Sequence, residues 1–187
     1  MLELFDRYVD WKVLCCFLAC PTTLFYPSQI ARQLQISPSS AGNTVKSFED
    51  KGLVVSEEKG FARLYRLNRD NEVVKSLKRA YGIDLVLRAG PAEIVQEADH
   101  QALSLALYGS YASGTFDEQS DVDFLVVTPS KKELYVQPIR KLEARLDREV
   151  NFAIFKLSEW RKLAREGDAF YMNVVANNVL LYGAGLK

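Results

Sequence analysis

Two carboxylates two residues apart, Asp121 and Asp123, lead into the apolar run Phe124 to Val127, and ten residues separate Asp121 from Gly109-Ser110, which closes the apolar run Leu103 to Tyr108. Residues two apart on a strand share a face, with Cα atoms roughly 6.5 Å apart, so the pair converges on one small volume while Val122 points the other way. Carboxylates aimed at one point repel unless a cation lies between them, and hard oxygen ligands with open positions suit Mg²⁺. A Gly-Ser turn at a strand end offers backbone N–H groups and a hydroxyl to phosphate oxygens. Together these residues form a place for a nucleoside triphosphate and its metal ions.

The string Gly109-Ser110-Tyr111-Ala112-Ser113-Gly114-Thr115, followed by Ser120-Asp121-Val122-Asp123-Phe124, resembles the signature of DNA polymerase β-like nucleotidyltransferases, in particular the minimal nucleotidyltransferase group, over roughly residues 102–183. The resemblance implies a mixed sheet flanked by helices and in-line displacement at the α-phosphorus of an NTP. Gly109 and Ser110 would hold the triphosphate, and Asp121 and Asp123 would bind two Mg²⁺ ions. It also implies a third carboxylate on the third strand, but the in-register residue is Asn151, whose amide cannot act as a base near neutral pH. Glu149, two residues earlier on the same strand face, either replaces it as a catalytic group or pairs with Arg148 or Arg145 at the surface. Ser113 stands where many relatives carry Arg. Tyr111 and Phe116 either stack on a base or pack the loop onto the sheet.

The surrounding helices and strands follow from periodicity. A helix is expected over Pro91 to Asp99, and another over Lys131 to Leu146, where Pro138 kinks the helix or divides it in two. Val150 to Phe155 reads as the third strand. Ser158 is placed to open the next helix with Glu159 in its first turn, Phe170 to Val175 is helical, and Val179 to Gly183 closes the sheet.

Upstream, apolar residues at helical spacing run from Leu2 to Cys20 and stop at Pro21. Ser28 is placed as the N-cap of a second helix, and Ser37 with Pro38 opens a third that runs to about Lys51 and is closed by Gly52. Two strands, Leu53 to Val55 and Phe61 to Leu67, are joined by the turn Ser56 to Gly60. This order, with the phrase Phe48-Glu49-Asp50-Lys51-Gly52-Leu53-Val54, resembles the winged helix-turn-helix domains of bacterial and archaeal regulators over roughly residues 8–68. That resemblance implies DNA contacts from Ser39, Ser40, Asn43, Thr44 and Lys46 on the third helix and from Lys59, Arg63 and Arg66 on the hairpin. Glu49, Asp50, Glu57 and Glu58 lie close to that face and oppose phosphate, which leaves a dimer contact as the other use of the domain.

The fold class expected is therefore α+β in two domains: a winged helix over 1–70, linker and packing helices over 71–100 with Gly82 and Gly90 interrupting them, and a nucleotidyltransferase sheet over 101–187. Lys and Arg outnumber Asp and Glu by three in residues 1–80, and the reverse holds by three in 81–187, so the first half suits nucleic acid and the second metal. No apolar run reaches the length of a membrane span, and Glu3 and Asp6 stand where a signal peptide is positive, so the expectation is a cytoplasmic protein that does not enter a membrane. Cys15, Cys16 and Cys20 read as reduced buried thiols and His100 as a surface residue. Three functions fit this organisation: an Mg²⁺-dependent transferase with an unknown acceptor, a protein among the candidates; a DNA-binding transcription regulator whose degenerate transferase domain senses a nucleotide; and an antitoxin-like partner module. A homodimer through the first helix is compatible with each.

Overall fold

The computed structural model describes residues 2–187, with Glu3 described by its backbone only, so the expectation resting on the charge of Glu3 lies outside the described side chains. The chain forms two compact units, residues 1–81 and 82–187. No described helix is long and apolar enough to cross a membrane.

In the first unit a 3₁₀ turn, Leu2–Phe5, precedes α1 (Val9–Ala19), so the single helix expected over this segment is divided where Tyr8 adopts an extended backbone. α2 (Pro27–Leu34) and α3 (Pro38–Asp50) follow, then the antiparallel hairpin β1 (Val54–Lys59) and β2 (Ala62–Leu67). Ser28 does not cap α2: Pro27 takes the first helical position, Tyr26 becomes the N-cap residue, and Gln29 Oε1 accepts from its N–H at 2.9 Å. Ser37 caps α3 as expected, its Oγ accepting from Ser40 N–H at 3.1 Å. β1 extends through the segment expected to be a turn, because Ser56 to Lys59 pair with Tyr65 to Ala62 and only Gly60 and Phe61 remain to reverse the chain. Val13, Phe17, Leu18, Ile30, Val45, Val54 and Leu67 form the core of this unit.

α4 (Glu72–Arg88) contains the boundary between the units and passes through Gly82, correcting the interruption expected there. A Cβ on Gly82 would lie 2.5 Å from Phe116 Cε1, so the glycine makes room for a ring rather than ending a helix. Gly90, at φ +68°, does end it, and Pro91 opens α5 (Pro91–Ala98).

The second unit continues with β3 (Ser104–Tyr108), α6 (Gly109–Ser113), β4 (Val122–Val127), a 3₁₀ turn at Lys132–Tyr135, α7 (Val136–Leu146), β5 (Val150–Phe155), α8 (Leu157–Glu166), α9 (Ala169–Ala176) and β6 (Val179–Gly183). Pro138 falls in the first turn of α7, where its missing N–H costs no helical bond, so the segment is two short helices rather than a kinked one. Ser158 does not open α8: Lys156 is the N-cap, and Glu159 accepts from its N–H at 2.8 Å. The sheet order is β5-β4-β3-β6, with β4 and β5 parallel and the other neighbours antiparallel. One face carries Phe124 and Phe152, ring centroids 5.1 Å apart, with Tyr135 packed against Phe152. The other carries Ala106, Leu125 and Val127 beneath Trp160 of α8 and Val174 of α9.

Buried Asp99, directly after α5, ties the end of β4 in place. It accepts from Thr128 Oγ1 at 2.6 Å, Ser130 Oγ at 2.8 Å, Tyr135 Oη at 2.8 Å and the N–H of Gln101 at 2.9 Å. Burial pushes this carboxyl up, but those four donors outweigh it and hold Asp99 below its ordinary value.

Candidate active site

β3 and β4 bring the candidate residues to one end of the sheet. Tyr108, the last residue of β3, pairs with Asp123, and Asp123 in turn pairs with Asn151 on β5. Alternation on β4 sends Val122 into the core, fully buried, while Asp123 stays half-buried on the face shared with Leu125 and Val127. Asp121 precedes β4 and is also half-buried.

Asn151 joins the two carboxylates. Its Nδ2 donates to Asp121 Oδ2 at 2.5 Å and lies 3.4 Å from Asp123 Oδ1. Burial raises the Asp123 carboxyl above its ordinary value and the negative charge of Asp121 raises it further, while the Asn151 amide pulls it down. Tyr108, which the sequence reading passed over, faces the same pair. Burial and then the charges of Asp123 and Asp121 push its hydroxyl up to about 12, and its ring meets Phe170 edge-on at 5.6 Å. Its signal was its position: the last residue of a strand beside Gly109.

Gly109 and Ser110 begin the short helix α6 instead of a simple turn. Gly109 has φ +70°, and a Cβ there would lie 2.5 Å from Asp123 Oδ2, so this glycine gives backbone and carboxylate a shared surface. The Ser110 hydroxyl has no partner among the described residues, whereas Ser113 Oγ bonds the carbonyls of Gly109 and Ser110 at 3.1 and 3.2 Å and so closes the loop. Tyr111 and Phe116 stack on each other, centroids 4.3 Å apart and both buried, which assigns them to packing rather than to a base.

Glu149 lies just before β5 and is exposed, its carbonyl accepting from Val122 N–H at 2.9 Å. Among the described residues no three His, Cys, Asp or Glu side chains are gathered to hold a metal, so Glu149 does not complete a trio with Asp121 and Asp123. The donors that do meet are two repelling carboxylates and an amide, which fits a single hard divalent cation such as Mg²⁺ better than a softer metal.

In the first unit Ser39, Asn43, Lys46, Lys59 and Arg66 are exposed and Ser40 partly so. Thr44 corrects the list of exposed contacts: it is buried, its hydroxyl donating to Asp10 Oδ1 at 2.7 Å. Arg63 is held by Glu49 at 2.6 Å. The cysteines form no disulfide among the described residues; Cys16 is buried as expected, Cys15 and Cys20 are only partly so, and His100 is exposed.

Residues 92–174, which carry β3, β4, β5 and both carboxylates, match the family model of the nucleotidyltransferase domain. Comparison with curated proteins found no match. Among solved structures, the chain is similar to a toxin-antitoxin crystallised with AMP-PNP, at 20% identity over 51% of this chain and 73% of that one, with a TM-score of 0.41. A tri-AMPylated Shewanella oneidensis HEPN toxin in complex with MNT antitoxin aligns at 17% identity over 54% and 73%, TM-score 0.35. TrmBL2, an archaeal chromatin protein described with a novel mode of DNA binding, aligns at 14% identity over 89% and 74%, TM-score 0.30. Likeness this distant assigns neither substrate nor partner.

Proposed function

We propose that this protein binds a nucleoside triphosphate with Mg²⁺ and transfers its nucleoside monophosphate to a hydroxyl acceptor. The observation that supports this reading is the close approach of Gly109, at the end of β3, to the Asp123 carboxylate. Gly109 and Ser110 hold the triphosphate through backbone N–H groups and the free hydroxyl. Asp121 and Asp123 hold the cation, and the Asn151 amide positions the pair by donating to both carboxylates. Bound there, Mg²⁺ supplies charge stabilisation to the entering and leaving oxygens. The acceptor oxygen bonds to the α-phosphorus, the bridge to the β-phosphate breaks, pyrophosphate leaves, and the hydroxyl proton passes to Glu149 or to water.

A second reading has its own support in Asn151. An amide that already bridges both carboxylates favours binding over turnover, as in a regulator that senses a nucleotide. In either case the first unit acts as a winged helix that contacts DNA through Ser39, Ser40, Asn43, Lys46, Lys59 and Arg66. A protein acceptor is compatible with the transferase reading.

Incubating the full chain with ATP labelled on the α-phosphate, Mg²⁺ and a cell extract tests both. Label moving to a macromolecule, and no longer moving in Asp121→Ala/Asp123→Ala, supports transfer. Mg²⁺-dependent nucleotide binding without label transfer supports sensing, and failure to bind any NTP defeats both.

A further inference from the structure

A cavity of about 430 Å³ opens at the opposite end of the sheet from the carboxylates, where Ser104 of β3 pairs with Val127 of β4. This lies roughly 13 Å along β3 from Tyr108, at the usual rise per strand residue. Its volume is in the range that holds small organic ligands.

The walls are apolar. Trp160, Ala164 and Tyr171 line it from α8 and α9, Val127 from the sheet, and Leu103 and Leu157 complete it while remaining 42% and 38% exposed. Two polar side chains of the lining already have partners: Ser104 Oγ donates to the Ala184 carbonyl at 2.6 Å, and the Trp160 indole donates to the Leu186 carbonyl at 2.9 Å. An apolar body covers two leucines now in contact with water.

The charged side chains that line the cavity are all of one sign. Arg161 and Lys187 contribute to it, no Asp or Glu does, and neither cation forms an ion pair among the described residues. We propose that this cavity is a binding site for a small anion with an apolar body, of the acyl carboxylate class, separate from the nucleotide site. The acyl chain lies against Trp160, Tyr171 and Leu157, and the carboxylate meets Arg161 and Lys187.

The test is titration of the full chain carrying Trp11→Phe, in which Trp160 is the remaining tryptophan, with decanoate below its micelle concentration, followed by Trp160 emission and by calorimetry. The expected result is a saturable emission change with decanoate, about tenfold weaker binding of decanol, and about tenfold weaker binding of decanoate by the Arg161→Glu variant, as loss of a charge-assisted contact implies. Ala164→Trp, which fills the cavity, abolishes it while thermal melting shows the variant folded. Arg161→Glu is exposed and serves if Ala164→Trp does not fold. Asp121→Ala/Asp123→Ala leaves decanoate binding unchanged, which separates this site from the nucleotide site. Absence of a saturable signal, equal binding of decanol, or binding that persists in a folded Ala164→Trp protein overturns the proposal.

Discussion

Gly109 backs directly onto Asp123: a side chain of even one carbon at Gly109 would stand 2.5 Å from the Oδ2 of that carboxylate. The backbone there is also left-handed, at φ +70°, a conformation that glycine adopts at little cost. Gly109→Ala therefore carries two penalties, a strained φ and a displaced carboxylate. The expected outcome is a loss of stability of about 1–3 kcal/mol together with at least ~tenfold weaker Mg²⁺-ATP binding. Chemical denaturation and calorimetric titration of the same variant measure the two effects. Unchanged ATP affinity would place the triphosphate elsewhere.

Asn151 governs how much cation the pair needs. Its amide donates to Asp121 and reaches Asp123, partly offsetting the repulsion that raises Asp123. Asn151→Asp removes that donor and adds a third negative charge at the same register position. Without metal the variant is destabilised by about 1–3 kcal/mol, as expected for a lost buried donor and an added like charge. With saturating Mn²⁺ its melting temperature rises by more than that of the natural protein, and Mn²⁺ binds more tightly in the absence of nucleotide. Thermal melts with and without Mn²⁺, backed by a metal titration, check this. Equal metal affinity in the two proteins would show that Asn151 is not part of the cation site.

These two residues also show how far the sequence can be read. Asp121 and Asp123 follow from strand alternation, Gly109 from its place at a strand end and Asn151 from the third-strand position that the resemblance implies, and β5 falls on the expected residues. The capping of α3 by Ser37 followed equally from local chemistry. What was not legible depended on contacts between distant segments. Gly82 reads as a helix breaker until Phe116 is brought against it, and Thr44 reads as a surface residue until α1 delivers Asp10. Asp99, which gathers three hydroxyls from beyond β4, had no local pattern to reveal it. Serines at 28 and 158 looked like caps because the competing caps, side chains of Gln29 and Glu159 reaching back to backbone N–H groups, obey the same rule three residues on.

Thr44 and Arg66 separate stability from nucleic-acid contact in the first unit. Thr44→Val keeps the side-chain shape but leaves Asp10 Oδ1 without its hydroxyl donor, at an expected cost of about 1–2 kcal/mol. DNA affinity is expected to stay the same, because the side chain is buried. Arg66→Glu, on an exposed position, is expected to leave stability within about 0.5 kcal/mol and to lower the salt dependence of binding to random duplex by about one to two charges. Binding isotherms at several salt concentrations decide the matter. A duplex affinity that depends on Thr44 and not on Arg66 would remove the proposed DNA face.

Asp99 makes a prediction in pH. Its folded value lies below the ordinary 3.8, because the hydroxyls of Thr128, Tyr135 and Ser130 and the N–H of Gln101 favour the carboxylate over its protonated form. The native state therefore binds a proton here less readily than the unfolded chain does. The stabilisation is fully present above the unfolded value and is lost as pH falls through the folded one. Asp99→Asn removes the charge and turns an N–H₂ toward groups that are themselves donors, so at neutral pH it is expected to cost about 2–4 kcal/mol. That difference should stay flat down to about pH 5 and narrow below pH 3.8, where the natural protein loses what the variant never had. Urea unfolding of both proteins across this range measures the gap. A gap that widens on acidification would show that Asp99 folds as the neutral acid and that the hydroxyl cluster stabilises the wrong protonation state.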